Sequence, residues 1–257
     1  MIALVSIAGL FVFVWPFLGL GVTPDAPALA VTLASVAALA IMEVGARRLD
    51  SGRLALLAAL AAIDAALRLA MVNGVAGFSP IFFLVLAAGY EFGPSYGFLV
   101  GSFSLLVSAV VTGGVGPWLP YETFAVGWVG LASGVAGSAV RRLRPARRTW
   151  LPTRIDIGVL VVVAILTGFA YGALTDVYEW AAFYRGVENV GWNPGLSPTE
   201  TLAQFGRFYM LTSFAWDSFR AVGDAIAVVA FGTPILMALG RLRARLGYEI
   251  VAAPAEP

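Results

Sequence analysis

The chain has 257 residues, 60% of them hydrophobic and only 12% charged, with a mean hydropathy of +0.88. Soluble domains carry roughly 25% charged residues, so lipid must be the solvent for much of this surface. Cysteine, histidine and lysine are absent, all 16 basic residues being arginine. That excludes disulfides, Cys/His metal sites, histidine catalysis and a P-loop ATPase, whose lysine reaches the phosphates. No enzyme activity, cofactor or nucleic-acid partner is expected.

In chain order, apolar stretches fall at 2–21, 28–46, 54–72, 80–92, 96–112, 124–140, 157–174 and 209–239. Each is read as a membrane-spanning helix, although the fourth is short and the last long for the roughly 20 residues a span needs. Ala28-Leu29-Ala30 resembles a signal-peptide cleavage site. No positive charge precedes the first stretch, so it is read as an uncleaved span.

The arginines set the direction. Arg47, Arg48 and Arg53 form one cluster, Arg141 to Arg154 a second, and Arg241, Arg243 and Arg245 a third. Short arginine-rich connections stay in the cytoplasm. Eight spans put all three clusters and both termini there, in the plasma (inner) membrane. A re-entrant fourth segment would turn the second cluster outward, so charge requires that segment to cross.

Local signals punctuate the spans. Ser79-Pro80 reads as a helix start, and Gly93-Pro94 as a helix end with a tight turn. Gly113, Gly114, Gly116, Pro117 and Pro120 mark a short outer loop. Ser197-Pro198-Thr199-Glu200 has the form of a capping box, so the last helix is expected to begin well outside the bilayer, with a kink at Pro234. Between them, 176–207 reads as the longest non-spanning stretch. Its Tyr178, Trp180, Phe183, Tyr184 and Trp192 suit either a lid over a ligand or part of an interfacial aromatic belt.

Charges within spans mark function by default. Asp217, Arg220 and Asp224 share one helix face, and Asp64 and Arg68 form an i,i+4 pair. They read either as ion pairs locking helices together or as the lining of an outward cavity. Counted from Tyr209 at the surface, Asp217 would lie roughly 12 Å deep. Ala55, Ala58, Ala59, Ala61, Ala62, Ala65 and Ala66 crowd the third span and predict a close-packing face.

The run Phe78-Ser79-Pro80-Ile81-Phe82-Phe83, then Ala88-Gly89-Tyr90-Glu91-Phe92-Gly93-Pro94 and Tyr96-Gly97-Phe98-Leu99-Val100-Gly101, resembles the substrate-binding S components of energy-coupling-factor (ECF) vitamin transporters. So does Thr212–Asp217 with Arg220–Asp224. The resemblance implies an all-α polytopic bundle: a pair of N-terminal helices (1–50), a six-helix core (51–246) and a cytoplasmic tail (247–257). It implies capture of a vitamin from outside, with a separate T component and two ATPase subunits supplying energy. The ligand region would comprise Asn73, Trp118, Tyr121, Glu122, Trp180, Tyr184, Trp192, Trp216, Asp217 and Arg220, and Ala58, Ala62 and Ala66 would meet the T component. The Gly113–Pro120 loop looks like that of S components for cobalamin or a related corrinoid, with a flavin or another small vitamin left open. Two other readings stand beside it. One is an ion-coupled transporter acting alone through Asp64, Asp217 and Asp224; the other is a structural or lipid-handling membrane protein.

Overall fold

The computed structural model describes residues 1–18, 25–46, 48–70, 81–144 and 151–248. Among these every regular element is a helix: α1 (Ile2–Val14) with a 3₁₀ turn at Trp15–Phe17, α2 (Asp25–Gly45), α3 (Ser51–Ala70), α4 (Ile81–Phe92), α5 (Pro94–Thr112), α6 (Leu119–Leu143), α7 (Arg154–Phe183), α8 (Pro198–Thr212) and α9 (Phe214–Tyr248). Five of them, α2, α5, α6, α7 and α9, are long and apolar enough to cross a bilayer. Of the other predicted spans, α3 carries Arg53, Asp64 and Arg68, and α1 and α4 are shorter apolar helices. Large apolar side chains stand exposed on α1, α2, α3, α7 and α9, including Leu10, Ile41, Ile63, Leu166 and Phe231. Such extensive apolar exposure belongs to a surface bathed in hydrocarbon.

α4 explains how a 12-residue helix can serve at the centre of such a bundle. At 1.5 Å per residue it is about 18 Å long, well short of the roughly 30 Å hydrocarbon core. Every side chain from Ile81 to Tyr90 is buried by its neighbours. Its ends therefore meet protein rather than lipid and need not match the bilayer thickness.

The Gly-Tyr-Glu-Phe-Gly-Pro run is where three helices meet backbone to backbone. A methyl group at Gly89 of α4 or at Gly97 of α5 would overlap the Gly130 carbonyl oxygen of α6. One at Gly101 would overlap Val126, and one at Gly137 the Tyr90 carbonyl. Gly93 joins α4 to α5 with a φ of 102°, a conformation that costs glycine least. Small residues gain van der Waals contact where lipid offers no hydrophobic drive. Ser133 Oγ adds a 2.6 Å bond to the Leu86 carbonyl across the same interface. α7 and α9 meet in the same way, Gly168 lying against Ala221 and Gly172 against Asp217.

The arginine clusters converge on one end of the bundle. Arg243 of α9 pairs with Glu91 of α4 at 3.3 Å, and Arg141 of α6 donates to the Tyr90 carbonyl at 2.6 Å. Tyr90 Oη donates to Asp156 in the first turn of α7 at 2.9 Å. Arg48 and Arg53, either side of the α2–α3 connection, line one cavity with Arg243. α4 links this end to the far one, where Phe82 lies under Arg220. α4 itself, at 12 residues, is too short to count among the helices able to cross a bilayer.

Three expectations need correction. The stretch 176–207 is not one long loop: α7 runs on to Phe183, a connection spans 184–197, and α8 follows. The last helix does not run unbroken from α8, because the chain turns at Ser213 and α9 begins at Phe214. The Ser213 hydroxyl lies 3.0 Å from that of Thr212 at this break. Asp217 accordingly sits in the first turn of α9, not two turns inside it. Pro234 lies within a helix that continues on both sides.

Candidate functional site

Opposite the arginine-bearing end, four helices bring acidic and basic side chains into one region. α3 contributes Arg68, α6 Glu122, α7 Asp176 and Glu179, and α9 Asp217 and Arg220. Arg68, Glu179 and Arg220 all act electrostatically on Glu122, and Glu179, Asp217 and Arg220 on Asp176. Burial in a low dielectric makes such mutual interaction strong.

Asp217 and Arg220 are its core. Their carboxylate and guanidinium form a salt bridge one helical turn apart on α9. Asp217 also accepts from Tyr209 Oη of α8 at 2.9 Å. It fits only because Gly172 leaves room on α7. Arg220 lies 4.9 Å over the Tyr171 ring and 5.8 Å over Phe82, in cation–π range. Burial and the Asp217 carboxylate push the Tyr209 hydroxyl well above its ordinary pKa, so it remains a donor.

The other charged residues do not pair as their spacing predicts. Asp64 accepts from Ser104 Oγ at 2.9 Å and forms no ion pair with Arg68 among the described residues. Arg68 instead lies within electrostatic range of Glu122 and Tyr171. Both carboxylate oxygens of Asp224 are buried without a hydrogen bond. Spacing places charges on one helix face, but neighbouring helices decide which of them meet.

The aromatic candidates separate into packing groups. Trp180, Trp192 and Phe208 form a small core with Phe17, Tyr184, Val190 and Phe205. Trp180 Nε1 donates to the Val190 carbonyl at 2.6 Å, and Arg185 lies 5.1 Å over the Trp192 ring. Tyr184 packs at 4.6 Å on Phe208. Tyr121 is fully buried, stacked at 4.1 Å on Tyr178 and edge-on to Phe13 of α1. These rings make a wall that ties the 184–197 connection and α8 to the bundle. Trp118 folds over Gly116 and is 40% exposed. Trp216 is 54% exposed and faces out of the bundle, which separates it from the cluster beside it. Asn73 lies outside the described residues, as do Ser79, Pro80, Arg47 and Arg147.

The cluster thus contains the predicted Glu122, Asp217 and Arg220, and adds Arg68, Asp176, Glu179, Tyr171 and Tyr209. Asp64-to-Arg68 spacing drew attention away from Arg68's true neighbours. Tyr209 looked like a surface marker because the break at Ser213 was not legible. Ala58, Ala62 and Ala66 form an exposed row on α3, while Ala61 and Ala65 face inward. No group of side chains able to hold a metal ion occurs among the described residues. No family model, curated protein or solved structure matches the chain.

Proposed function

We propose that this chain is the substrate-binding membrane subunit of an ECF-type transporter. It captures a vitamin, with cobalamin or a related corrinoid favoured, and delivers it with a separate T component and two ATPases. The observation that carries the reading is the buried Asp217–Arg220 pair, joined by Tyr209 and by the Tyr171 and Phe82 rings, at the end opposite the arginine clusters, with Arg68 and Glu122 in electrostatic range of each other and Arg220 in range of Glu122. Charged groups within a membrane domain are costly and are kept where they meet a solute or one another. Buried rings beside them give a rigid wall for a planar ligand. The exposed alanine row on α3 offers a close-approach face for a partner helix.

Thermal unfolding of the purified full chain against a vitamin panel tests the reading. A ligand at 100 times its dissociation constant adds about 2.7 kcal/mol of stability. The expected result is one responding vitamin, a response lost in Arg68→Gln and kept in Arg144→Gln. A flat response to the whole panel would overturn the proposal.

A second reading, ion-coupled transport by the chain alone, draws on the buried and unbonded Asp224. It expects uptake into proteoliposomes that contain no T component, and loss of that uptake in Asp224→Asn.

A further inference from the structure

The arginine-bearing end holds a second candidate site, unconnected with ligand capture at the far end. A cavity of about 320 Å³ lies between the α2–α3 connection, the Gly93–Pro94 turn and the C-terminal part of α9. Arg48, Arg53 and Arg243 line it together with Glu43, Ser95 and Tyr96, and Leu49, Phe92 and Leu99 provide an apolar side. Its volume far exceeds the space of a single water.

Each of the three arginines has one carboxylate near it, but two of the three pairs are loose. Glu43 stands 4.0 Å from Arg48, and Asp50 stands 3.8 Å from the Arg53 side chain, both beyond hydrogen-bond range. Glu91 pairs with Arg243 at 3.3 Å but also lies in the field of Arg141. Each guanidinium has five N–H donors. Arg53 spends one on the Arg48 carbonyl at 2.8 Å. The same cavity receives the N-terminus of α5, which has no side-chain cap. Pro94 has no N–H and the Gly93 N–H bonds the Gly89 carbonyl at 2.8 Å, so Ser95 and Tyr96 supply the N–H groups at the positive end of the helix dipole. Gly93 leaves open space where another residue would place a Cβ. Guanidinium groups and these two N–H groups around one space are donors that suit a phosphoryl oxygen.

We propose that this cavity binds a phosphate group, supplied by the headgroup of an anionic phospholipid in the leaflet at the arginine-bearing end. The apolar side formed by Leu49, Phe92 and Leu99 favours a lipid over a free ion, because a headgroup arrives with its chains in the adjoining bilayer. Basic pockets between transmembrane helices on the cytoplasmic side take such headgroups.

The test uses the purified full chain in neutral detergent and native mass spectrometry. Dioleoylphosphatidylglycerol is compared with dioleoylphosphatidylcholine, and inorganic phosphate is added in a parallel thermal-unfolding series. The expected result is retention of one phosphatidylglycerol about ten-fold more tightly than phosphatidylcholine. That preference should vanish in the Arg48→Gln/Arg243→Gln variant and persist in Arg144→Gln, which removes equal charge per site from an exposed position at the same end. Should the double variant fail to fold, Arg48→Gln alone serves, since that side chain is 73% exposed. Stabilisation by inorganic phosphate without any lipid preference supports the same site with a free phosphate as its occupant. No preference and no phosphate response, or equal loss in Arg144→Gln, overturns the proposal.

Discussion

Gly130 is the residue on which the bundle's closest contacts converge. Its neighbours Gly89 and Gly97 approach so nearly that no side chain fits at any of the three positions. Gly130→Ala is therefore expected to lower stability by about 1–3 kcal/mol, the usual range for overpacking a tight interface. Thermal unfolding measures it, and an unchanged midpoint would show that the helices can part cheaply. Arg220 makes a different demand. Removing it leaves the buried Asp217 carboxylate without its cation, and breaking a buried pair from one side costs about 3–5 kcal/mol. Asp217→Asn/Arg220→Ala should recover part of that loss. A double variant less stable than Arg220→Ala would mean that Asp217 is held by something other than the ion pair.

At the scale of elements, α8 is the piece added to the expected set of spans. Its start was legible, because Ser197 and Glu200 bond each other's backbone in both directions. The Ser197 hydroxyl and backbone N–H hold the Glu200 carboxyl below its ordinary pKa. A depressed carboxyl stabilises above its unfolded pKa, and the contribution is lost as pH falls through the folded value. Amide protection over 198–212, the intrinsic exchange rate relative to the observed rate at the same pH, should thus fall several-fold on moving from neutral pH to below about pH 4, the ordinary carboxyl range. Ser197→Ala should be poorly protected at both. Acid-independent protection in the unaltered chain would remove the capping box as the cause. The end of α8 was not legible, since neither glycine nor proline marks Ser213. On α3, exposed Ala62 bears on the proposed partner. Ala62→Leu is expected to block co-purification with a T component while leaving the ligand-induced thermal shift intact. Normal co-purification would take the alanine row out of the interface.

For the whole molecule the decisive property is polarity between its two ends. The arginine clusters meet at one end, and the aromatic wall with the acidic and basic cluster occupies the other. Because the chain has no cysteine, Asn193→Cys provides a single label site on the exposed part of the 184–197 connection. A membrane-impermeant maleimide should label it in intact cells. Labelling only after the membrane is broken would reverse the orientation and remove the basis for capture from outside.

Composition alone determined that this is a helical chain for a lipid environment, since so few charges cannot cover such an apolar surface with water-facing groups. The apolar stretches located helices, five of them long and apolar enough to cross a bilayer, and the arginine clusters marked one end of the bundle. What only the tertiary structure decided was which polar groups pair. Asp64 turned to Ser104 rather than Arg68, Asp217 paired with Arg220 and Tyr209, and Trp216 was left facing outward. Helical periodicity fixes a side chain's direction about its own axis, but its partner is set by the neighbouring helix, and here glycine contacts between distant segments set that neighbour's position and depth.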